Sequence, residues 1–361
     1  MKKFAALLVP VILVSGCVSD IDSILAGIEE TQTKELPPDL VTVENINVIP
    51  SEVLSGSRFD VSFEVRHQGD PAQSDPVFVD LCFYDWGKCT PVFEGNDGNT
   101  ESGTTGSFSP WTGQSPGSQS GESELSSACE GNVKNMFPQQ VIFVQQSFKA
   151  PSSGEIGGME AECPIRFKVR YSAEASTRLS FDAISEDRYM ELVRSGKNFY
   201  PKIQQVVGQG PVKIYFQIPK GQVFRSGQRV TFLVYAKNKG SGVVETEKSE
   251  AENSGGSGQK DVDLSVTLEY SGSGNEQDLT CDNGITVKVE NSIQVTVPLS
   301  FVRDETPPVR CSLKIPQNIE DEKTLYVTAT SKYVYRFSET VRVTVRPAET
   351  ESPEPPKVVS V

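Results

Sequence analysis

The sequence predicts an all-β chain of two tandem antiparallel β-sandwiches, joined by a short helix and interrupted by low-complexity loops. Three observations predict it. Residues 55–69, SGSRFDVSFEVRHQG, align without gaps to residues 226–240, SGQRVTFLVYAKNKG. In both copies apolar and polar side chains alternate: Phe59, Val61, Phe63 and Val65 in the first, Val230, Phe232, Val234 and Ala236 in the second. That period of two is the mark of a strand with one buried face. Short alternating runs between turn residues recur through the chain with little helical periodicity, and 361 residues are enough for two cores.

Taken in order, the chain opens with a predicted signal peptide at residues 1–16. Lys2 and Lys3 precede an apolar run over 4–14, and Ser15 and Gly16 are the small residues a signal peptidase needs. The run is shorter than the roughly 20 residues of a membrane-spanning helix, and Pro10 interrupts it, so a permanent signal anchor and simple secretion stand as the alternatives. Val14, Ser15, Gly16 and Cys17 resemble the lipobox of exported lipoproteins, which implies lipidation of the Cys17 sulfur. The expected location is extracytoplasmic, with membrane attachment through that lipid. Residues 17–39 read as a tether, with Ile21, Ile24, Leu25 and Ile28 at helical spacing within 20–34 until Pro37 and Pro38 stop the turn.

The first unit spans 40–184. Its repeated strand is followed by PVFVDLCFY (76–84), then by a Gly/Ser/Thr-rich insertion at 94–127. Such composition buries too little apolar surface to offset its ordering entropy, so disorder is expected. Residues 185–210 form the connector, where SEDRYMELVRSG predicts a helix: Ser185 as cap, Glu186 and Asp187 in the first turn, Gly196 at the end. The second unit, 211–347, repeats the pattern with VDLSVTLEY (262–270), a flexible insertion at 239–261, and closing strands that alternate Tyr333, Tyr335, Phe337 and Val341, Val343, Val345. Residues 348–361 are Pro-rich and acidic, the composition of a disordered tail.

The stretch PPDLVTVENINVIPSEVLSGSRFDVSFEVRHQG carries Asp39-Leu40, Pro50, Gly56 and Gly69 at the places of a first strand, a proline, a Gly turn, an alternating strand and a Gly exit. It resembles the opening of the CARDB domain, an immunoglobulin-like module repeated in bacterial and archaeal surface proteins. The resemblance implies immunoglobulin-like sandwiches, over about 30 residues of the first unit and half as many of the second. The cysteines and the long insertions depart from it.

Seven cysteines leave one unpaired. Cys129 stands 19 residues before Phe148 of QSFKAP, Cys281 stands 20 before Phe301 of LSFVRDETPP, and Cys163 and Cys311 follow. The repeat therefore predicts the pairs Cys129–Cys163 and Cys281–Cys311, leaving Cys82 and Cys89 to pair across CFYDWGKC. The rival connectivity in the first unit is Cys82–Cys163 with Cys89–Cys129. Cys17 is then the cysteine left over, at the lipobox.

Composition limits the function. The net charge is −14; cleavage before Cys17 removes Lys2 and Lys3, leaving 32 basic against 48 acidic residues and a charge of −16. A surface so negative repels nucleic acid and anionic headgroups. No metal or cofactor site is predicted: no CxxC occurs, and the single histidine, His67, reads as a surface or turn residue at the end of its strand. Within the first insertion, Phe108 and Trp111 offer a binding tip and NDGN a faint calcium loop, but solvated spacer is the reading taken. No GxSxG, phosphate loop or converging acid pair points to catalytic residues, so no enzymatic activity is expected. The sequence predicts a surface lipoprotein that binds or adheres to a protein or glycan partner. The alternatives are a structural or accessory subunit of an envelope or pilus assembly and, less favoured, a polysaccharide-active enzyme.

Overall fold

A computed structural model describes residues 32–71, 76–92, 134–245, 263–270, 278–289 and 292–348. Strands dominate the described residues and gather into three sheets. The first small sheet has the order β2-β4-β8-β6, built from β2 (Val41–Ile49), β4 (Arg58–His67), β8 (Val141–Lys149) and β6 (Thr90–Pro91). The second has the order β11-β12-β18-β15, built from β11 (Val212–Gln217), β12 (Arg229–Asn238), β18 (Val309–Lys314) and β15 (Leu279–Cys281). The repeated sequence supplies β4 and β12, each second in its sheet. The glycines that turn the chain into them, Gly56 and Gly227, hold matching left-handed conformations with φ of 76° and 74°.

An eleven-stranded sheet underlies both. Its axis is a ribbon of two long strands, β9 (Ala161–Ile184) and β19 (Glu322–Arg346), antiparallel and in register from Ala161 opposite Val345 to Ile184 opposite Glu322. The 24 residues of β9, at about 3.3 Å each, run about 80 Å. Beside the first part of β9 lies β5 (Val77–Asp85), which also pairs with β7 (Lys134–Met136). Beside its second part lies β10 (Ile203–Val207), with β1 (Gln32–Glu35) parallel at the edge. Along β19 lie β3 (Val53–Leu54), β13 (Val243–Glu245) and β14 (Asp263–Tyr270), and β14 continues into β17 (Ser292–Ser300) and the terminal β16 (Ile285–Val289).

Burial along the ribbon reveals how the layers stack. Buried side chains fall at odd-numbered positions from Cys163 to Ala183 and, apart from Val334, from Leu325 to Val345. One face of the ribbon is therefore inward over its whole length, and both small sheets cover that same face. Over the first half, Phe63 of β4 stacks on Phe167 of β9 at 4.2 Å, with Phe83 and Phe148 closing the cluster. Over the second, Phe181 of β9 stacks on Phe224 at 4.5 Å, and the Thr177 hydroxyl donates to the Ile214 carbonyl of β11 at 2.7 Å. Each repeat lends half of its last strand to the floor of the other.

Several expectations are corrected. Residues 32–35, read as tether and as the end of a helix, are extended and pair with β10 because the Gln-Thr-Lys-Glu backbone completes a sheet edge. The connector holds the predicted helix, α1 (Glu186–Arg194), with Ser185 Oγ accepting from Arg188 N at 3.2 Å. No helix residue is buried, and the rest of the connector includes β10. The insertion at 239–261 is ordered in its first part, where β13 docks on β19. His67 is fully buried; its Nδ1 accepts the Gly69 N–H at 2.9 Å, and its backbone bonds to Gln139 and Gln140. It belongs to the turn, but not to the surface.

The disulfides show where the alignment slipped. Cys281 and Cys311 are bonded, as the repeat predicts, because they face each other on β15 and β18 with Cα atoms 4.0 Å apart. Cys163, however, bonds to Cys89, not to Cys129 or Cys82. Cys163 lies on the ribbon and Cys89 beside β6, so this bridge joins two sheets across the core. The expected Cys82–Cys89 hairpin does not exist: after β5 the chain crosses to the other sheet, and Cys82 points away from the core that Leu81 and Phe83 enter. Cys82 is itself disulfide-bonded, but not to Cys89. The cause of the error is strand identity: LSF at 299–301 ends β17 in the large sheet, whereas QSF at 146–148 lies in β8, whose counterpart is β18.

Candidate functional site

The ribbon is continuous, but its partners are not. β5 leaves β9 after Val79 pairs with Tyr171, with only Phe78 N reaching Ser172 Oγ at 3.4 Å. β10 joins β9 where Val207 pairs with Thr177, and Gly208 N donates to the Ser176 carbonyl at 2.7 Å. Between these points residues 172–176 have no ladder partner on that edge among the described residues, and a cleft of about 590 Å³ opens there, at the junction of the two repeats.

The segment 36–40 and the turn at 208–209 form one wall, and the side chains of the buried Lys213 and the half-buried Gln209 pin both. Lys213 donates from Nζ to the carbonyls of Leu36 (2.6 Å), Pro37 (3.1 Å) and Gly208 (2.7 Å). Burial, the largest influence, pushes its pKa down to about 8, against the favourable pull of Glu35 and Asp39. Gln209 donates to the carbonyls of Asp39 (3.2 Å) and Gln68 (3.1 Å) and accepts from Asp70 N (3.3 Å), tying the first repeat to the second. A wall held this way is preorganised.

The opening is amphipathic. Leu36, Leu40, Phe78 and Val206 contribute apolar surface, and Phe78 is 56% exposed. Glu174 and Lys332, cross-strand partners on the ribbon, contribute opposite charges, and Arg178 lies over the Tyr326 ring at 4.1 Å. The buried Tyr333 hydroxyl lines the cleft without a hydrogen-bond partner of normal geometry, although the Val212 backbone acts on it; burial raises its pKa well above the usual tyrosine value. Such a surface suits noncovalent binding of a partner with both apolar and charged groups.

The sequence-predicted residues do not meet here. Cys17, Cys129, Phe108, Trp111 and the NDGN stretch lie outside the described residues. Cys89–Cys163 and Cys281–Cys311 staple the two cores, and His67 closes a turn. Among the described residues no group of three or more His, Cys, Asp or Glu is arranged to hold a metal ion, and no helix is long and apolar enough to cross a membrane. The disulfides point to an oxidising, extracytoplasmic compartment. Of the residues that shape the cleft, Lys213, which holds its wall from behind, had a readable signal, a lysine inside the apolar run VKIYF.

No family model matches the chain, and no curated protein matches it. Among solved structures it is similar to a secreted serine protease, VesC, from Vibrio cholerae, at 8% identity and a TM-score of 0.14, covering 90% of this chain and 53% of that one. It is similar to a trypsin-activated alpha-2-macroglobulin from Escherichia coli at 9% identity and 0.14, covering 88% and 17%. It is also similar to the collagen adhesin from S. aureus at 10% identity and 0.12, covering 88% and 96%. The chain thus spans about half the length of the first and a sixth of the second. TM-scores this low carry no argument about fold family or activity.

Proposed function

We propose that the protein is an exported lipoprotein, anchored through acyl chains on Cys17, whose two immunoglobulin-like repeats bind a protein or glycan of the cell envelope at the junction cleft. The observation that carries the reading is the cleft wall: the buried Lys213 and the half-buried Gln209 hold one geometry where the repeats meet. Energy spent on ordering a surface before contact lowers the entropic cost of binding. The disulfides agree with export, and the apolar run ending in Val-Ser-Gly-Cys agrees with lipid attachment.

Two measurements test it. In cell fractionation, Cys17→Ser is expected to move the protein from the membrane to the soluble fraction; unchanged membrane association would overturn the anchor. In a pull-down from envelope extracts, the wild-type ectodomain is expected to retain a component that a Phe78→Asp, Lys332→Glu variant loses. Equal retention by both would remove the cleft from the binding surface. The ribbon favours a second reading, an accessory subunit of an envelope assembly, because a stiff body about 80 Å long suits a spacer. Cross-linking on intact cells to one stoichiometric partner would favour that role.

A further inference from the structure

The large sheet ends in two edges of opposite character. At one edge is β1, Gln-Thr-Lys-Glu, polar and exposed at all four positions. At the other is β16, Ile-Thr-Val-Lys-Val, whose alternate side chains Ile285, Val287 and Val289 are 71%, 51% and 40% exposed. These three share one face of the strand. Among the described residues β16 pairs only with β17, and no described strand lies along its other side. Edges of this kind are ordinarily blunted by proline, bulges or inward charges. β16 has no proline, its pairing with β17 runs without a bulge, and its one charge, Lys288, lies on the face opposite the aliphatic row.

We infer that β16 is the contact of a two-fold symmetric dimer, in which two copies of this chain pair β16 with β16 in antiparallel register centred on Val287. The strand is self-complementary in that register. Val287 meets its own copy, Ile285 meets Val289, and Lys288 meets Thr286 and not a second lysine; like charges directly opposite would be destabilising. The charge of the molecule permits this contact: the chain carries −14 overall, yet β16 and β17 contain no acidic residue, so these strands add no acidic repulsion of their own. A β16-to-β1 contact would match aliphatic against polar side chains. The assembly therefore closes as a pair and does not grow as a filament. A five-residue ladder with three aliphatic pairs buries less than the roughly 1,000 Å² of a persistent interface, so the pair is weak in dilute solution and gains where copies share a surface. The inference goes beyond the binding role above and does not depend on it.

Single cysteines placed on the full-length protein test it. After mild oxidation, Val287→Cys is expected to give a disulfide-linked dimer on a non-reducing gel, because the two-fold axis puts residue 287 beside its own copy. Val302→Cys, 62% exposed but off this edge, is expected to remain monomeric. A monomeric Val287→Cys, or equal cross-linking of both variants, would overturn the proposal. Val287→Lys places like charges together and is expected to weaken self-association in sedimentation at least tenfold with an unchanged melting temperature. Association unaffected by it would also overturn the proposal, and binding of Val287-dependent monomers to lipid vesicles would assign the edge to a membrane instead.

Discussion

Lys213 occupies the second position of β11, in a run where Val212, Lys213, Ile214, Tyr215 and Phe216 are all buried. Its three N–H donors meet three carbonyls from two separate segments, an arrangement no other side chain type offers in that space. Lys213→Met keeps the volume and removes the donors, leaving three carbonyls unsatisfied. Hydrogen exchange is expected to show residues 32–37 opening first, with a loss of about 1–3 kcal/mol. Titration gives an independent check. The folded pKa of about 8 lies below the 10.5 of the unfolded chain, so between those values the unfolded state holds more protons and stability rises with pH. The buried tyrosines Tyr171, Tyr270, Tyr333 and Tyr335 act oppositely: burial raises their pKa above 10, so their contribution is present below pH 10 and lost above it. Melting temperature is expected to climb modestly from pH 8 toward 10 and then fall, and Lys213→Met should flatten the rising limb alone.

Among the elements, β13 shows how a short strand is held. Its Glu245 bridges Arg170 (3.1 Å) and Arg336 (3.0 Å), two cations that the ribbon register sets opposite each other. Gly242 enters this strand so close to β19 that an added Cβ would overlap the Arg336 carbonyl oxygen, while its N–H donates to the Tyr335 hydroxyl at 2.6 Å. Gly242→Ala is therefore expected to detach β13 and cost about 1–3 kcal/mol, measurable by chemical denaturation, whereas Gly154→Ala, with open space around it, should cost far less. The elements also divide what was legible in the sequence from what was not. β4 and β12 were readable because alternation and a Gly turn are local signals. The next strands were readable in outline, but their inward sets, Val77, Val79 and Leu81 against Leu264, Val266 and Leu268, match only after a one-residue shift of the alignment 76–84 with 262–270. Which strand pairs with which depends on contacts far apart in the chain, and so Cys89–Cys163 was hidden while the adjacent-strand pair Cys281–Cys311 was not. The cleft is the extreme case, assembled from segments 36–40, 76–78, 172–178 and 206–209 with no common motif.

For the whole molecule, the shared ribbon runs through the cores of both sequence repeats, and they are expected to unfold as one cooperative body. Removing Phe63, which stacks on Phe167 in the first core, should cost about 3–5 kcal/mol. In two independent domains, Phe63→Ala would split the calorimetric melt into a lowered and an unchanged transition. Here a single transition is expected to shift as a unit, since β9 and β19 are buried in both cores. Two resolved peaks would show that the ribbon does not couple them.

The ribbon also sets an order of events during synthesis. Its second strand, residues 322–346, follows the first, residues 161–184, only after β10 to β18. Until that second strand has been made, β9 lacks its partner along an edge 24 residues long, and neither core has its complete floor. The floor of the first repeat therefore stays incomplete until β10 to β18, and then β19, have been made.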